Sequence, residues 1–213
     1  MKLSGLYAIT PDDPLLPRLA ALVRAALAGG VKWVQYRNKS ASPLVRHQQA
    51  TELLRLCRAA GARLIINDDV WLAVEIGADG AHIGRDDGPG ASLDAARDAL
   101  GQHRILGVSC YNEPARAKSA ASAGADYVGV GSMFVSSTKP KAVRASPEIL
   151  MEVRRVCGLP VAAIGGIKLA NAQEVRAAGA DMLAVMSDLF DTMNIKARAE
   201  AYQTLFKEIK ETK

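Results

Sequence analysis

A short segment near the amino terminus carries the first residues that could bind an anion. In the sequence Gln35-Tyr36-Arg37-Asn38-Lys39, the glutamine, arginine and lysine occupy alternating positions. Strand-like geometry would turn these three side chains to the same side. Arginine offers a planar fork for phosphate oxygens and lysine a compact charge, so the segment suits a diphosphate. Taken alone, these residues would favour a solvated basic loop over a diphosphate site.

Two aspartates follow apolar runs farther along the chain and could share a hard cation. Asp68 comes after the run that ends at Asn67, and Asp87 follows the next run. If the two runs are neighbouring strands, Mg²⁺ fits best, because it accepts one or two carboxylates and completes its shell with water and phosphate oxygens. The alternative is that these acids cap helices, as the adjacent Asp69 and Asp86 could do.

A glycine pair and several hydroxyl groups in the second half predict a second anion site. Gly165-Gly166 precede a helical stretch, and Ser187 follows a later apolar run. Backbone N–H groups at a helix start bind phosphate, although a glycine pair also suits a simple tight turn. The segment 132–145 is long for a loop and would act as a ligand lid. Its hydroxyl and ammonium donors are Ser136, Thr138 and Lys139.

The histidines and cysteines give weaker signals. His47, His82 and His103 form neither a metal set nor a triad, and His82, inside a short strand, is expected to be a satisfied core histidine. Cys110 follows Ser109 at a strand end, where a packed thiol is expected rather than a nucleophile. The three cysteines are odd in number and show no CxxC pairing, which indicates reduced thiols and the cytoplasm.

Repeated strand and helix patterns must position these residues. Eight apolar runs recur, each followed by an Ala/Leu-rich stretch of helical periodicity, which predicts repeated βα units. The predicted strands are Leu6 to Thr10, Val31 to Tyr36, Leu64 to Asn67, Gly80 to Ile83, Ile105 to Ser109, Tyr127 to Gly131, Val161 to Ile164 and Met182 to Met186. Phrases such as Gly-Ala-Asp recur before strands, where a glycine would end the preceding helix. We therefore predict an α/β fold, a (β/α)₈ TIM barrel forming a single catalytic domain over residues 1–213, with ligands at the carboxyl ends of its strands.

Composition excludes several other classes of protein. The 213 residues carry a net charge of +5, which suits anionic ligands, but the basic residues are scattered without aromatic interleaving. A nucleic-acid partner is therefore not expected. No signal-peptide pattern and no apolar run of membrane length occurs, so no membrane partner is expected either. The sequence leaves a homo-oligomer open.

The ordered motifs resemble those of the thiamine-phosphate synthase (thiamine-phosphate pyrophosphorylase) family. They are Gln35-x-Arg37-x-Lys39, Asn67-Asp68, GADGAHIGRDD ending at Asp87, GVS at 107–109, SSTK at 136–139 and AIGGI at 163–167. The match runs along nearly the whole chain. The resemblance implies a transferase of thiamine biosynthesis that joins a pyrimidine diphosphate to a thiazole phosphate, giving thiamine phosphate and diphosphate.

The resemblance also implies a role for each matching residue. Asp68 and Asp87 would hold Mg²⁺, Ser109 would face the pyrimidine, and Lys139 would reach the leaving diphosphate. Catalytic roles are expected for Lys139, Ser109 and Arg37. The residues expected to contact the pyrimidine diphosphate also include Gln35, Tyr36, Arg37, Asn38, Lys39 and Asn67, and those expected at the thiazole phosphate are Ser136, Thr138, Gly166, Met186 and Ser187.

A tautomerase and a ligand sensor are the two alternatives to a synthase. A related thiazole tautomerase would share the fold and phosphate site but would not need the diphosphate and metal residues, so the presence of Arg37, Lys39, Asp68 and Asp87 argues against it. A catalytically silent sensor of phosphorylated ligands would bind without turnover. An assay with both substrates separates the sensor from the synthase.

Overall fold

The computed structural model describes residues 2–84, 92–135 and 144–207. Eight parallel strands form a closed barrel in chain order, and β1 pairs with both β2 and β8. The strands are β1 (Gly5–Ile9), β2 (Trp33–Tyr36), β3 (Arg63–Asn67), β4 (Gly80–Ile83), β5 (Ile105–Tyr111), β6 (Tyr127–Val130), β7 (Val161–Ile164) and β8 (Met182–Val185). The predicted (β/α)₈ TIM barrel is confirmed, with strand ends displaced by at most two residues.

Helices surround the barrel, as crossover connections between parallel strands require. Within the described residues they are α1 (Leu16–Ala28), α2 (Pro43–Ala59), α3 (Val70–Ile76), α4 (Leu93–Leu100), α5 (Pro114–Ser122), α6 (Glu148–Cys157), α7 (Leu169–Ala177), the short α8 (Ser187–Phe190) and α9 (Ile195–Lys207). None of these helices has the length and apolar character needed to cross a membrane.

The strands are buried on both faces, which explains why they read as continuous apolar runs. Outward-facing residues such as Leu6, Val34 and Leu64 pack against the helices. Inward-facing residues form a second cluster that includes Tyr7 and Tyr127. The barrel interior is therefore filled by side chains.

The recurring Gly-Ala-Asp phrases form the same structure three times at the amino ends of the strands. Asp79, Asp126 and Asp181 each accept a hydrogen bond from a backbone N–H of the preceding strand. Each of these carboxylates also pairs with an arginine, namely Arg63, Arg97 and Arg154. The preceding glycines Gly77, Gly124 and Gly179 adopt positive φ, as predicted for helix ends. The repeated sequence thus corresponds to a repeated aspartate-to-backbone hydrogen bond that joins neighbouring strands.

Candidate active site

A pocket of about 370 Å³ opens at the carboxyl ends of the strands. Its size lies in the range typical of small-molecule sites. The strands and the loops that follow them line its wall, with apolar side chains such as Ile9, Val185 and Ala162 between the polar ones. The polar groups fall into a basic side, a central network and a glycine-rich side.

The basic side is formed by the end of β2. Gln35, Arg37 and Lys39 all line the pocket, so the alternation predicted from their spacing is confirmed. An Arg37 guanidinium N–H donates to Asp12 at 2.7 Å, and the Lys39 ammonium lies 3.0 Å from the Asp68 carboxylate. Both cations are therefore held by acidic partners while they face the cavity.

The two residues that alternate with Gln35, Arg37 and Lys39 point the other way. Tyr36 is buried and donates its hydroxyl hydrogen to Gln49 of α2 at 2.8 Å. The buried Asn38 amide donates to the same Gln49 and to the Asp13 carbonyl. Neither residue lines the pocket, so their side chains fix the β2 loop against α2. Substrate contact through Tyr36 and Asn38 stays a prediction, and it would have to come from the backbone.

Asp68 stands at the pocket wall directly after β3. Its φ of 63° is unusual for a residue with a side chain, and its backbone N–H donates to the His82 carbonyl of β4. The Asn67 amide donates to its carboxylate. Asp68 does not cap α3, because Asp69 does so by accepting from the Leu72 N–H. A partly exposed carboxylate facing a cavity is a suitable ligand for Mg²⁺.

The glycine-rich side lies where β7 and β8 end, and β1 separates β8 from β2. Gly165 and Gly166 both adopt positive φ and line the cavity. A Cβ on Gly166 would lie 2.4 Å from the Val135 carbonyl oxygen, so this loop has no room for a side chain. Met186 and Ser187 also line the pocket, and Ser187 begins the short helix α8. A short helix after the eighth strand is the usual barrel site for a phosphate group.

A chain of five hydrogen-bonded side chains runs from Gln35 on the basic side through the barrel interior to Ser109 of β5. The Gln35 amide N–H donates to the Tyr7 hydroxyl at 2.9 Å, and this oxygen lies 2.7 Å from that of Tyr127. The Tyr127 hydroxyl is 3.0 Å from Nδ1 of His82, whose Nε2 lies 2.8 Å from the Ser109 hydroxyl. Burial raises the pKa of both tyrosines well above the ordinary value, so they stay protonated.

His82 differs from its sequence-based interpretation in one respect. Both ring nitrogens are hydrogen-bonded, as expected for a satisfied core histidine, but the ring also lines the pocket. Tyr7 lines it too, and Tyr127 supports both. None of these three residues belongs to the site that the sequence motifs predict. The available signal was the strand alternation that places each of them on the inner face of the barrel.

Several other predictions are settled or lie outside the described residues. Cys110 is buried, and burial raises the pKa of its thiol to about 12, which confirms a packed thiol rather than a nucleophile. Four predicted site residues lie outside the described residues: Asp87, Ser136, Thr138 and Lys139. Within the described part of the chain, no three His, Cys, Asp or Glu side chains form a metal-binding group.

The fold and the pocket together define a class of protein: a (β/α)₈ barrel with cationic groups facing a glycine-rich loop and a short helix after β8. A family model described as thiamine monophosphate synthase matches residues 6–189. The chain belongs to this family.

Individual relatives agree with this assignment. The chain is 53% identical over 205 residues to a thiamine-phosphate synthase of Aromatoleum aromaticum, covering 96% of this chain and 97% of that protein. It is 51% identical to one of Azoarcus sp., with 96% and 98% covered. Among solved structures, the thiamine phosphate pyrophosphorylase of Pyrococcus furiosus superposes with a TM-score of 0.85 at 31% identity, with 97% of each chain covered.

Proposed function

We propose that this protein is a thiamine-phosphate synthase, a transferase that moves a pyrimidinylmethyl group. It joins 4-amino-2-methyl-5-(diphosphooxymethyl)pyrimidine to hydroxyethylthiazole phosphate and releases diphosphate. The observation that carries the proposal is a family match over most of the chain, combined with a pocket that has a basic side and a separate glycine-rich side. Two phosphorylated substrates need two such sides.

The basic side suits the diphosphate. Arg37 and Lys39 would bind its oxygens, and Lys139 would join them. Asp68 and Asp87 would hold Mg²⁺, which when bound supplies further positive charge to the diphosphate. The side chains of Arg37, Lys39 and Lys139 would each stabilise the negative charge that grows on the departing diphosphate. Comparable interactions contribute about 3 kcal/mol in other enzymes.

The reaction needs no strong base from the protein. The C–O bond to the diphosphate breaks with its electron pair leaving on oxygen, and the electron-rich pyrimidine stabilises the resulting cation. The thiazole nitrogen then donates its lone pair to that carbon. The chain's task is to hold the two partners in line and to keep water away from the cation, which the apolar wall around Ile9, Ala162 and Val185 favours.

The glycine-rich side suits the thiazole phosphate. Backbone N–H groups near Gly166, the start of α8 at Ser187, and the hydroxyls of Ser136 and Thr138 would receive the monophosphate. Met186 would contact the thiazole ring.

We further propose that residues 1–213 act as a single catalytic domain in the cytoplasm on small-molecule substrates, without nucleic-acid or membrane partners. A homo-oligomer is compatible with this assignment.

Substrate omission tests the proposal. Purified protein with Mg²⁺ should form thiamine phosphate only when both the pyrimidine diphosphate and the thiazole phosphate are present. Binding of both compounds without product would indicate a sensor. Proton exchange on the thiazole without condensation would indicate a tautomerase, and either result would contradict the proposal.

A further inference from the structure

The hydrogen-bond chain from Gln35 to Ser109 joins two pocket residues through three that are buried or nearly so. Tyr7 and Tyr127 are each at most 2% exposed, and His82 is 9% exposed. The rings also contact one another, with Tyr7 edge-on to Tyr127 at 5.8 Å between centroids and His82 tilted against Tyr127 at 5.5 Å. Such packing holds the donor and acceptor atoms in fixed directions.

Residues without side chains make room for this arrangement. A Cβ on Gly107 would lie 2.2 Å from the Tyr127 ring, and a Cβ on Gly129 would lie 3.2 Å from the His82 ring. Glycine at these two positions therefore leaves the space that the Tyr127 and His82 rings occupy. The hydrogen-bond chain is therefore formed by the packed interior of the barrel and does not depend on the conformation of a loop.

One arrangement of the hydrogens runs in a single direction along this hydrogen-bond chain. The Tyr7 hydroxyl accepts from Gln35, so its own hydrogen is available for Tyr127. Tyr127 can then donate to Nδ1 of His82, which leaves the proton of a neutral imidazole on Nε2. In this arrangement the Nε2 hydrogen is directed at the Ser109 oxygen, 2.8 Å away, and the Ser109 hydrogen is left for the pocket. With the other tautomer of His82, Nε2 would accept the Ser109 hydrogen instead.

We propose that His82, held by Tyr127, is a positioning residue that makes Ser109 a hydrogen-bond donor toward a ring nitrogen of the bound aminopyrimidine. The inference rests on the proposed function. A pyrimidine ring nitrogen next to carbon atoms carries a lone pair and no hydrogen, so it needs a donor. If Ser109 donated its hydrogen to His82, a lone pair of the serine oxygen would face the lone pair of the ring nitrogen, and no hydrogen bond would form.

The proposal predicts a binding defect confined to one substrate. His82→Asn keeps a group near Tyr127 but no longer reaches Ser109, so affinity for the pyrimidine diphosphate should fall about tenfold, the scale of one hydrogen bond. Affinity for the thiazole phosphate should stay unchanged. His82→Gln places an amide near the Nε2 position and should restore most of the lost affinity.

A double-mutant cycle separates positioning from a merely structural role. If His82 acts through Ser109, His82→Asn should weaken binding in the wild-type background and have no further effect in a Ser109→Ala background. Tyr127→Phe keeps the ring and removes only the hydroxyl, so it gives the same test with little risk to folding. Tyr202→Phe, which removes a buried hydroxyl bonded to Asp188, is the matched control and should leave pyrimidine affinity unchanged.

The measurement is equilibrium binding of the pyrimidine diphosphate with Mg²⁺ and without the thiazole phosphate, with thermal unfolding to verify folding. Cancellation of the His82 and Tyr127 effects by Ser109→Ala supports the proposal. Additive losses, or equal losses for both substrates, overturn it while leaving the synthase assignment intact. Wild-type protein that neither binds the pyrimidine diphosphate nor forms thiamine phosphate would contradict the proposed function itself, and the role of His82 with it.

Discussion

The Lys39 ammonium lies 3.0 Å from the Asp68 carboxylate, and this ion pair joins the end of β2 to the end of β3 at the pocket wall. The pair places the cation that we propose for the diphosphate beside a candidate Mg²⁺ ligand. An incoming diphosphate with its cation can contact both groups, because each already faces the cavity.

Replacing the proposed metal-binding carboxylates should remove most Mg²⁺-dependent turnover. Asp68→Asn and Asp87→Asn each delete one anionic ligand, and the remaining carboxylate would hold the ion only weakly. Initial rates across a Mg²⁺ titration check this. Asp69→Asn is the matched control, because asparagine also caps helices well and α3 should stay capped. Wild-type rates in the Asp68 and Asp87 variants would contradict the metal assignment.

The glycine-rich side should discriminate between the two substrates. Ser187→Ala combined with Thr138→Ala removes two hydroxyls from the monophosphate end, so KM for the thiazole phosphate should rise about tenfold and more than KM for the pyrimidine diphosphate. Steady-state kinetics with each substrate varied in turn measure the difference. Ser119→Ala with Thr204→Ala removes two exposed helix hydroxyls and serves as the control. Equal changes for both substrates would argue against a divided site.

Lys139 should act on the leaving group and less on the bound substrate. Its ammonium would stabilise charge that grows as the C–O bond breaks, so Lys139→Ala should lower kcat and kcat/KM by similar factors. Lys139→Arg should restore activity only in part, because the guanidinium positions its charge differently. Single-turnover rates at saturating substrates decide the matter, with Lys118→Ala on the exposed face of α5 as control. An unchanged bond-breaking rate with weaker binding would make Lys139 a docking residue.

The strand alternation explains how much of this site could be predicted from the sequence. A period of two correctly grouped Gln35, Arg37 and Lys39, and the same period turns Tyr36 and Asn38 toward α2. The family pattern treats all five as one segment, so it does not separate them. The local periodicity was the better guide to side-chain direction.

The central hydrogen-bond chain could not be derived in the same way. Tyr7 and Tyr127 are 120 positions apart, and His82 and Ser109 lie on two further strands. Their meeting depends on how the barrel closes and how its strands are staggered, which no local pattern specifies. Sequence alternation places each side chain inside the barrel but does not give its height along the axis.

A buried aspartate should make stability depend on pH. Burial alone would raise the pKa of Asp13, but hydrogen bonds from Arg18 and the Leu15 N–H outweigh it and hold the pKa below its ordinary value. A lowered native pKa stabilises the fold above the unfolded-state value of about 3.9, and this contribution is lost as pH falls through the native pKa.

Asp13→Asn should therefore cost about 1 to 2 kcal/mol at pH 7, and the difference from wild type should shrink below about pH 4. Denaturant unfolding at both pH values measures it. Glu200→Gln, which removes an exposed pair with Lys196, should change stability by less than about 0.5 kcal/mol. A difference for Asp13→Asn that stays constant with pH would contradict the role of its charge.

The ratio of the two products in one reaction tests the assignment as a thiamine-phosphate synthase most directly. Purified protein is incubated with the pyrimidine diphosphate, the thiazole phosphate and Mg²⁺, and thiamine phosphate and diphosphate are quantified together. A thiamine-phosphate synthase should form equal amounts of both products, and little of either when Mg²⁺ is chelated. Diphosphate released without thiamine phosphate would show that water captures the cation, and the absence of both products would contradict the assignment as a synthase.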